Sequence, residues 1–163
     1  MKSLAFSVPF CWPLLARLQK KQTIRLLFIP DYAPGEHLHI IARDAGVKPK
    51  RDLKLYIGQL TELFPIQLKD ITPDIATRDG FSSVGDCQDK LAELNGVKAG
   101  RVDLRWGFVI RWEPVTKPSP ETIAAVDRMY GEVMARAITR KKRAYEQLVG
   151  LDKFLKAHAK NMG

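Results

Sequence analysis

Polar and apolar positions alternate in short bursts over the first two thirds of the chain, then give way to a helical repeat. Residues 4–8 predict a strand stopped by Pro9. Residues 10–19 predict a helix whose first turn accommodates Pro13 while Leu14, Leu15 and Leu18 share one face. The β-branched and bulky run at 23–29 predicts a second strand. A Pro34-Gly35 turn follows, and Leu38, Ile40 and Ala42 alternate with His37, His39 and Ile41 as a third strand. Residues 44–52 are polar and basic, broken by Gly46 and Pro49, and predict an exposed loop. Residues 53–68 form a long alternating stretch in which Gly58 and Pro65 mark bulges or breaks. Thr72 with Pro73 signals a helix start and Gly80 its end. Ser82 or Ser83 caps another helix that runs to Leu94 and stops at Asn95-Gly96. The stretch 104–112, LRWGFVIRW, predicts the last strand.

From Ser119 onward Ile123, Val126, Met129, Tyr130, Val133, Met134 and Ala137 recur at helical spacing, and Tyr145, Leu148, Val149, Leu151, Phe154 and Leu155 continue the pattern. The expectation for 119–163 is a helical hairpin packed on the preceding sheet. Its nine Lys/Arg against five Asp/Glu form a solvated face or, on a sharper reading, the segment is a lid or an RNA-binding arm. About six strands with helices set between them suit an α+β fold or a small mixed barrel over residues 1–118, with 119–163 as a C-terminal helical extension. The alternation is too irregular for a doubly wound parallel sheet.

With 163 residues, 45% hydrophobic and 28% charged, the chain has room for one domain with a full core. The net charge of +9 adds something more: such a surplus favours polyanionic partners through phosphate neutralisation and counterion release. Cys11 and Cys87 lie far apart in no metal-like spacing, so a reduced, intracellular protein is the simpler reading. Residues 1–21 superficially resemble a signal peptide, but Pro9 and Pro13 break the apolar stretch and no small-residue cleavage site follows. No run has the length of a bilayer span. A cytoplasmic protein with no membrane partner is expected. His37, His39 and His158 form no cluster, and no Gly-rich phosphate loop or nucleophile elbow is present, so neither a metal nor a cofactor is assigned.

The most informative stretch is Lys20-Lys21-Gln22-Thr23-Ile24-Arg25, at a junction of helix and strand. Side chains alternate along a strand, so Thr23 and Arg25 share a face, and a turn before the strand brings Lys20 to it. Asp79, before Gly80 at the end of a short helix, is the candidate acidic partner. The result is an amine, a hydroxyl and a guanidinium together at a barrel mouth.

These residues resemble the signature of the ASCH family, Gly-x-Lys-x-x-Glu-x-Arg, often with Thr in the Glu position, here Lys20-x-x-Thr23-x-Arg25. The resemblance continues through Tyr56 to Ser83, with its Asp79-Gly80-Phe81 turn, and through the strand Trp106 to Trp112. It spans roughly residues 2 to 114. Leu18 departs from the pattern by standing where the family has glycine. The resemblance implies a PUA-like barrel whose cleft accepts a nucleobase or RNA. One branch of the family removes the acyl group from N4-acetylcytidine, and it carries three catalytic roles to Lys20, Thr23 and Asp79, the last an aspartate in place of glutamate. Thr23 would attack the acyl carbonyl. Lys20 would serve as base only if its pKa fell from about 10.4 toward about 7 to 8, aided by burial and by the cations Lys21 and Arg25. Lys21, Arg25, Phe10, Trp12 and Tyr56 are the expected contacts to a modified cytidine nucleoside, the aromatics by stacking. The alternative is an RNA-binding module without amidase activity, with phosphates held by Lys48, Lys50, Arg51, Arg140, Lys141, Lys142 and Arg143.

Overall fold

A computed structural model describes residues 1–26, 30–96 and 105–161. The elements follow in the order β1 (Lys2–Phe6), α1 (Cys11–Ala16), β2 (Gln22–Leu26), β3 (His37–Asp44), β4 (Arg51–Gln67), a 3-10 turn (Leu68–Asp70), α2 (Pro73–Arg78), α3 (Val84–Leu94), β5 (Trp106–Pro114) and α4 (Pro120–Asn161). The strands among the described residues form one five-stranded sheet in the order β1-β3-β4-β5-β2, parallel only at β1–β3. This is an α+β architecture, as the pattern suggested, with five strands among the described residues.

The long alternation at 53–68 becomes β4, the spine of the sheet. One half pairs with β3 and the other with β5, so the strand serves two neighbours and the sheet curls around it. Both irregularities lie on β4, where the pairing skips Leu55 opposite Ile40/Ile41 of β3 and Thr61 opposite Trp112/Arg111 of β5, not at Gly58 or Pro65. Gly58 has another cause: a Cβ there would meet the Trp112 ring at 2.8 Å, so the tryptophan packs directly on the strand backbone. The basic loop is shorter than expected, because β3 and β4 zip together as far as Asp44 and Arg51.

Two apolar clusters fill the two sides. One gathers β1, α1, the inward faces of β3 to β5, and Val126 and Met129 of α4 around Trp12 and Trp112. The other packs α2 and α3 on Ile24, Leu26, Ile66 and Val109. Thr72 and Ser83 cap α2 and α3 by accepting from the N–H groups of Ile75 and Asp86. The C-terminal region is a single 42-residue helix, not a hairpin, since nothing between Arg140 and Tyr145 reverses the chain. Its first half packs on α1, β3 and β4. The predicted strand residues 27–29 and Leu104 lie outside the described residues. Among the described residues no helix is long and apolar enough to cross a membrane.

Candidate active site

Strands β1 and β2 are the two edges of the curled sheet, and each pairs on one side only. The gap between them is bridged by Arg25, whose Nη2 donates to the Ala5 carbonyl at 2.7 Å while the guanidinium lies 5.0 Å from the centre of the Phe6 ring. Behind this bridge is a cavity of about 360 Å³, lined among others by Phe10, Cys11, Lys20, Thr23, Arg25, Asp79 and Phe81. That volume suits a nucleobase-sized ligand.

Two helix ends deliver the polar residues. Helix α1 stops in a Schellman turn: the N–H of Gln19 donates to the Leu14 carbonyl at 2.8 Å, and that of Leu18 to the Leu15 carbonyl at 3.1 Å. Helix α2 stops in the same way, with Phe81 donating to Ala76 and Gly80 to Thr77, each at 3.0 Å. Leu18 takes φ +57° and Gly80 φ +95°. Leu18 thus adopts the left-handed conformation for which a glycine is the usual residue, and the departure from the family signature leaves the turn intact. The first turn sends Lys20 inward, and the second places Asp79 opposite it.

The two charges meet out of water, with Lys20 2% and Asp79 5% exposed. Lys20 Nζ donates to the main-chain carbonyl of Asp79 at 2.7 Å and lies 3.2 Å from Asp79 Oδ1. No donor is aligned on that oxygen, which alone among the described buried side-chain polar atoms lacks a hydrogen bond. Burial pushes the Asp79 carboxyl up, and Lys20, Gln22 and Arg25 offset only part of that rise. Thr23 projects from β2 opposite Ile110 of β5, on the same strand face as Arg25 opposite Phe108. Its hydroxyl is engaged by no hydrogen bond among the described residues. Cys11 forms part of the wall, but burial raises its thiol and keeps it protonated. The Cys87 thiol is pushed up to about 12 by burial, with Asp79 adding to the rise.

Lys20, Thr23, Arg25, Asp79 and Phe10 therefore share one cavity, while the remaining expected contacts stand elsewhere. Trp12 is wholly buried and donates to the Phe6 carbonyl at 2.7 Å, as a core residue. Tyr56 is buried against Trp112, whose Nε1 donates to its hydroxyl at 2.9 Å. Neither ring can stack on a ligand in the cavity. Lys21, just before β2, does not line the cavity and pairs with Glu113 at 3.4 Å. Lys48 and Lys50 are exposed in the β3–β4 loop, and Arg51 is tied to Glu132 and to Asp44. Arg140, Lys141, Lys142 and Arg143 are exposed on α4.

Two cavity neighbours escaped the reading of the sequence. Phe81 packs edge-on against Phe10, with ring centres 6.3 Å apart, and offers an aromatic wall where Trp12 and Tyr56 do not. Gln22 is buried, donates to the Ile75 carbonyl at 2.9 Å and accepts from Arg111 Nε at 2.9 Å, so it ties β2 to α2 just before Asp79. Phe81 had a signal in the Asp-Gly-Phe turn. Gln22 had none, because its partners lie 53 and 89 residues away.

The sequence matches no protein-family model and no curated protein. Solved structures share its architecture. Protein EF3133 from Enterococcus faecalis V583, a DUF984 protein, aligns over 71% of this chain and 80% of its own with a TM-score of 0.52 and 13% identity. An ASCH domain from Lactobacillus crispatus JV V101 aligns over 65% of this chain and 70% of its own, with a TM-score of 0.47 and 16% identity. At such identities the likeness is one of fold. The chain shares its α+β fold, with a curled five-stranded sheet among the described residues, with the DUF984 protein EF3133.

Proposed function

We propose that the cavity between β1 and β2 is the active site of an amidohydrolase that removes the acyl group from N4-acylated cytosine nucleosides such as N4-acetylcytidine. The observation that carries this reading is the buried Lys20–Asp79 ion pair, whose Oδ1 receives no aligned hydrogen bond, on the wall of the cavity that Thr23 also lines. A buried charge pair with an unsatisfied oxygen is costly to a fold unless a ligand completes it. Phe10 and Phe81 would flank the pyrimidine, and Arg25 would meet its carbonyl edge.

Thr23 Oγ1 attacks the carbonyl carbon of the acyl group and forms a C–O bond as its proton passes to Asp79. The base role moves to Asp79 from Lys20 because Oδ1 receives no aligned hydrogen bond and burial makes the carboxylate more basic than an ordinary aspartate. Lys20 holds Asp79 in place by bonding its main-chain carbonyl and lends positive charge to the oxyanion as it develops. The C–N bond then breaks, the proton on Asp79 goes to the departing exocyclic amine, and cytidine leaves. Water hydrolyses the threonine ester to the carboxylic acid by the same proton path. The test is release of cytidine from N4-acetylcytidine by the full chain. Thr23→Ala and Lys20→Ala should each lower the rate by at least about 100-fold, and a wild-type protein that releases nothing refutes the reading.

A further inference from the structure

Helix α4 extends far beyond the sheet it packs on. Its 42 residues span about 63 Å at about 1.5 Å per residue. The first half is fastened by three ion pairs. Arg17 grips Asp127 at 2.8 and 3.1 Å, Arg51 bonds Glu132, and Arg136 grips the buried Asp44 at 2.8 and 2.9 Å. After Arg136 no described side chain makes a hydrogen bond or ion pair with another element; Thr139 bonds within the helix and Lys156 pairs with Asp152 four residues before it. A helix standing free in water is marginal, and its stability normally comes from something packed against it.

The chemistry of this half selects the occupant. Residues 137–161 hold seven Lys/Arg and two Asp/Glu, so more than half of the whole chain's surplus charge of +9 sits on about a sixth of its length. Arg140, Lys141, Lys142 and Arg143 occupy one full helical turn, so cations face every side, and the exposed Tyr145 follows directly. A cleft of about 210 Å³, lined in part by Ser7, Pro9, Arg136 and Arg140, connects this turn to the body of the protein. Ser7 also lines the β1–β2 cavity, so the two spaces share a wall. A strand whose base enters the cavity would cross Ser7 and lay its backbone along Arg140.

We infer that the free half of α4 binds the phosphate backbone of single-stranded RNA, so that the cavity takes an acylated cytosine within an RNA chain as well as in a free nucleoside. This rests on the nucleobase reading of the cavity. Phosphate contacts supply affinity and register, and the cavity supplies base selection.

The experiment is fluorescence anisotropy of the full chain with a labelled, cytosine-containing single-stranded RNA across a salt series. Vesicles containing phosphatidylserine and a poly-glutamate peptide serve as competing anions. Wild type should bind RNA in preference to both. Replacing Arg140, Lys141, Lys142 and Arg143 together by glutamine should weaken binding at least tenfold and flatten the log–log salt slope by up to about 3. These four side chains are exposed, and circular dichroism checks that the helix remains. Wild-type protein that binds RNA with this salt dependence but releases no cytidine from N4-acetylcytidine refutes only the amidase reading. Equal slopes for wild type and the quadruple variant, or a preference for vesicles or peptide over RNA, overturn the inference.

Discussion

Leu18 and Gly80 occupy the same station in two Schellman turns whose ends touch: a Cβ added to Gly80 would sit 3.6 Å from Leu14 Cδ1 of the opposing helix. One turn fixes where Lys20 goes and the other where Asp79 goes, so the geometry of the charge pair is set by two backbone conformations. A left-handed φ costs a non-glycine residue about 1 to 2 kcal/mol, and a β-branched one more. Leu18 offsets that cost in part by packing against the core. Leu18→Gly should therefore change stability by less than about 1 kcal/mol. Gly80→Ala, which meets only ordinary contact distances, should cost about 1 to 2 kcal/mol through backbone strain alone. Denaturant unfolding of the two variants measures both.

Breaking the buried pair on one side leaves a charge without its partner. Lys20→Met and Asp79→Asn should each destabilise the protein by about 3 to 5 kcal/mol, and the double variant by clearly less than the sum. A double-mutant cycle in urea gives the coupling directly. Additive effects would mean that the two groups do not interact.

Asp79 also sets a pH dependence. Its carboxyl is raised above the ordinary value of 3.8, so in the window above that value the folded protein holds a proton that the unfolded chain has released. The stability contributed by this group is full below about pH 4 and declines as pH rises through the folded-state value. Asp79→Asn removes this slope, whatever constant offset arises from leaving Lys20 without its carboxylate. The unfolding free energies of the two proteins, followed upward from about pH 4, should therefore diverge in slope, with the wild type falling relative to the variant.

Much of the architecture is readable from short-range pattern. The caps at Thr72 and Ser83, the stop at Gly80 and the long alternation that becomes β4 all appear in the structure because each is a local signal. What the pattern misses is set by distant partners. Nothing near residue 56 or residue 12 says that Tyr56 receives the Trp112 N–H or that Trp12 caps the Phe6 carbonyl, and an aromatic looks the same whether it lines a cavity or fills a core. Gln22 reads as a polar strand end until α2 folds over it. The C-terminal hairpin was expected from a basic run that, lacking Gly or Pro, continues a helix as readily as it interrupts one. Lys20, Thr23 and Arg25 were legible because their spacing needs only a turn and a strand.

Tyr56 offers a check on the core. Burial pushes its phenol up to about 12, against an ordinary 10.0. Absorbance titration should show a tyrosine step at about pH 12 that is missing in Tyr56→Phe. That variant leaves Trp112 Nε1 without its acceptor and should lose about 1 to 3 kcal/mol.

The most direct test of the account is the fate of Thr23 during turnover. Protein quenched while hydrolysing N4-acetylcytidine and digested for mass spectrometry should carry an acetyl group on the peptide containing Thr23, and Thr23→Ala should show neither the adduct nor release of cytidine. Cytidine released by Thr23→Ala at the wild-type rate would contradict it.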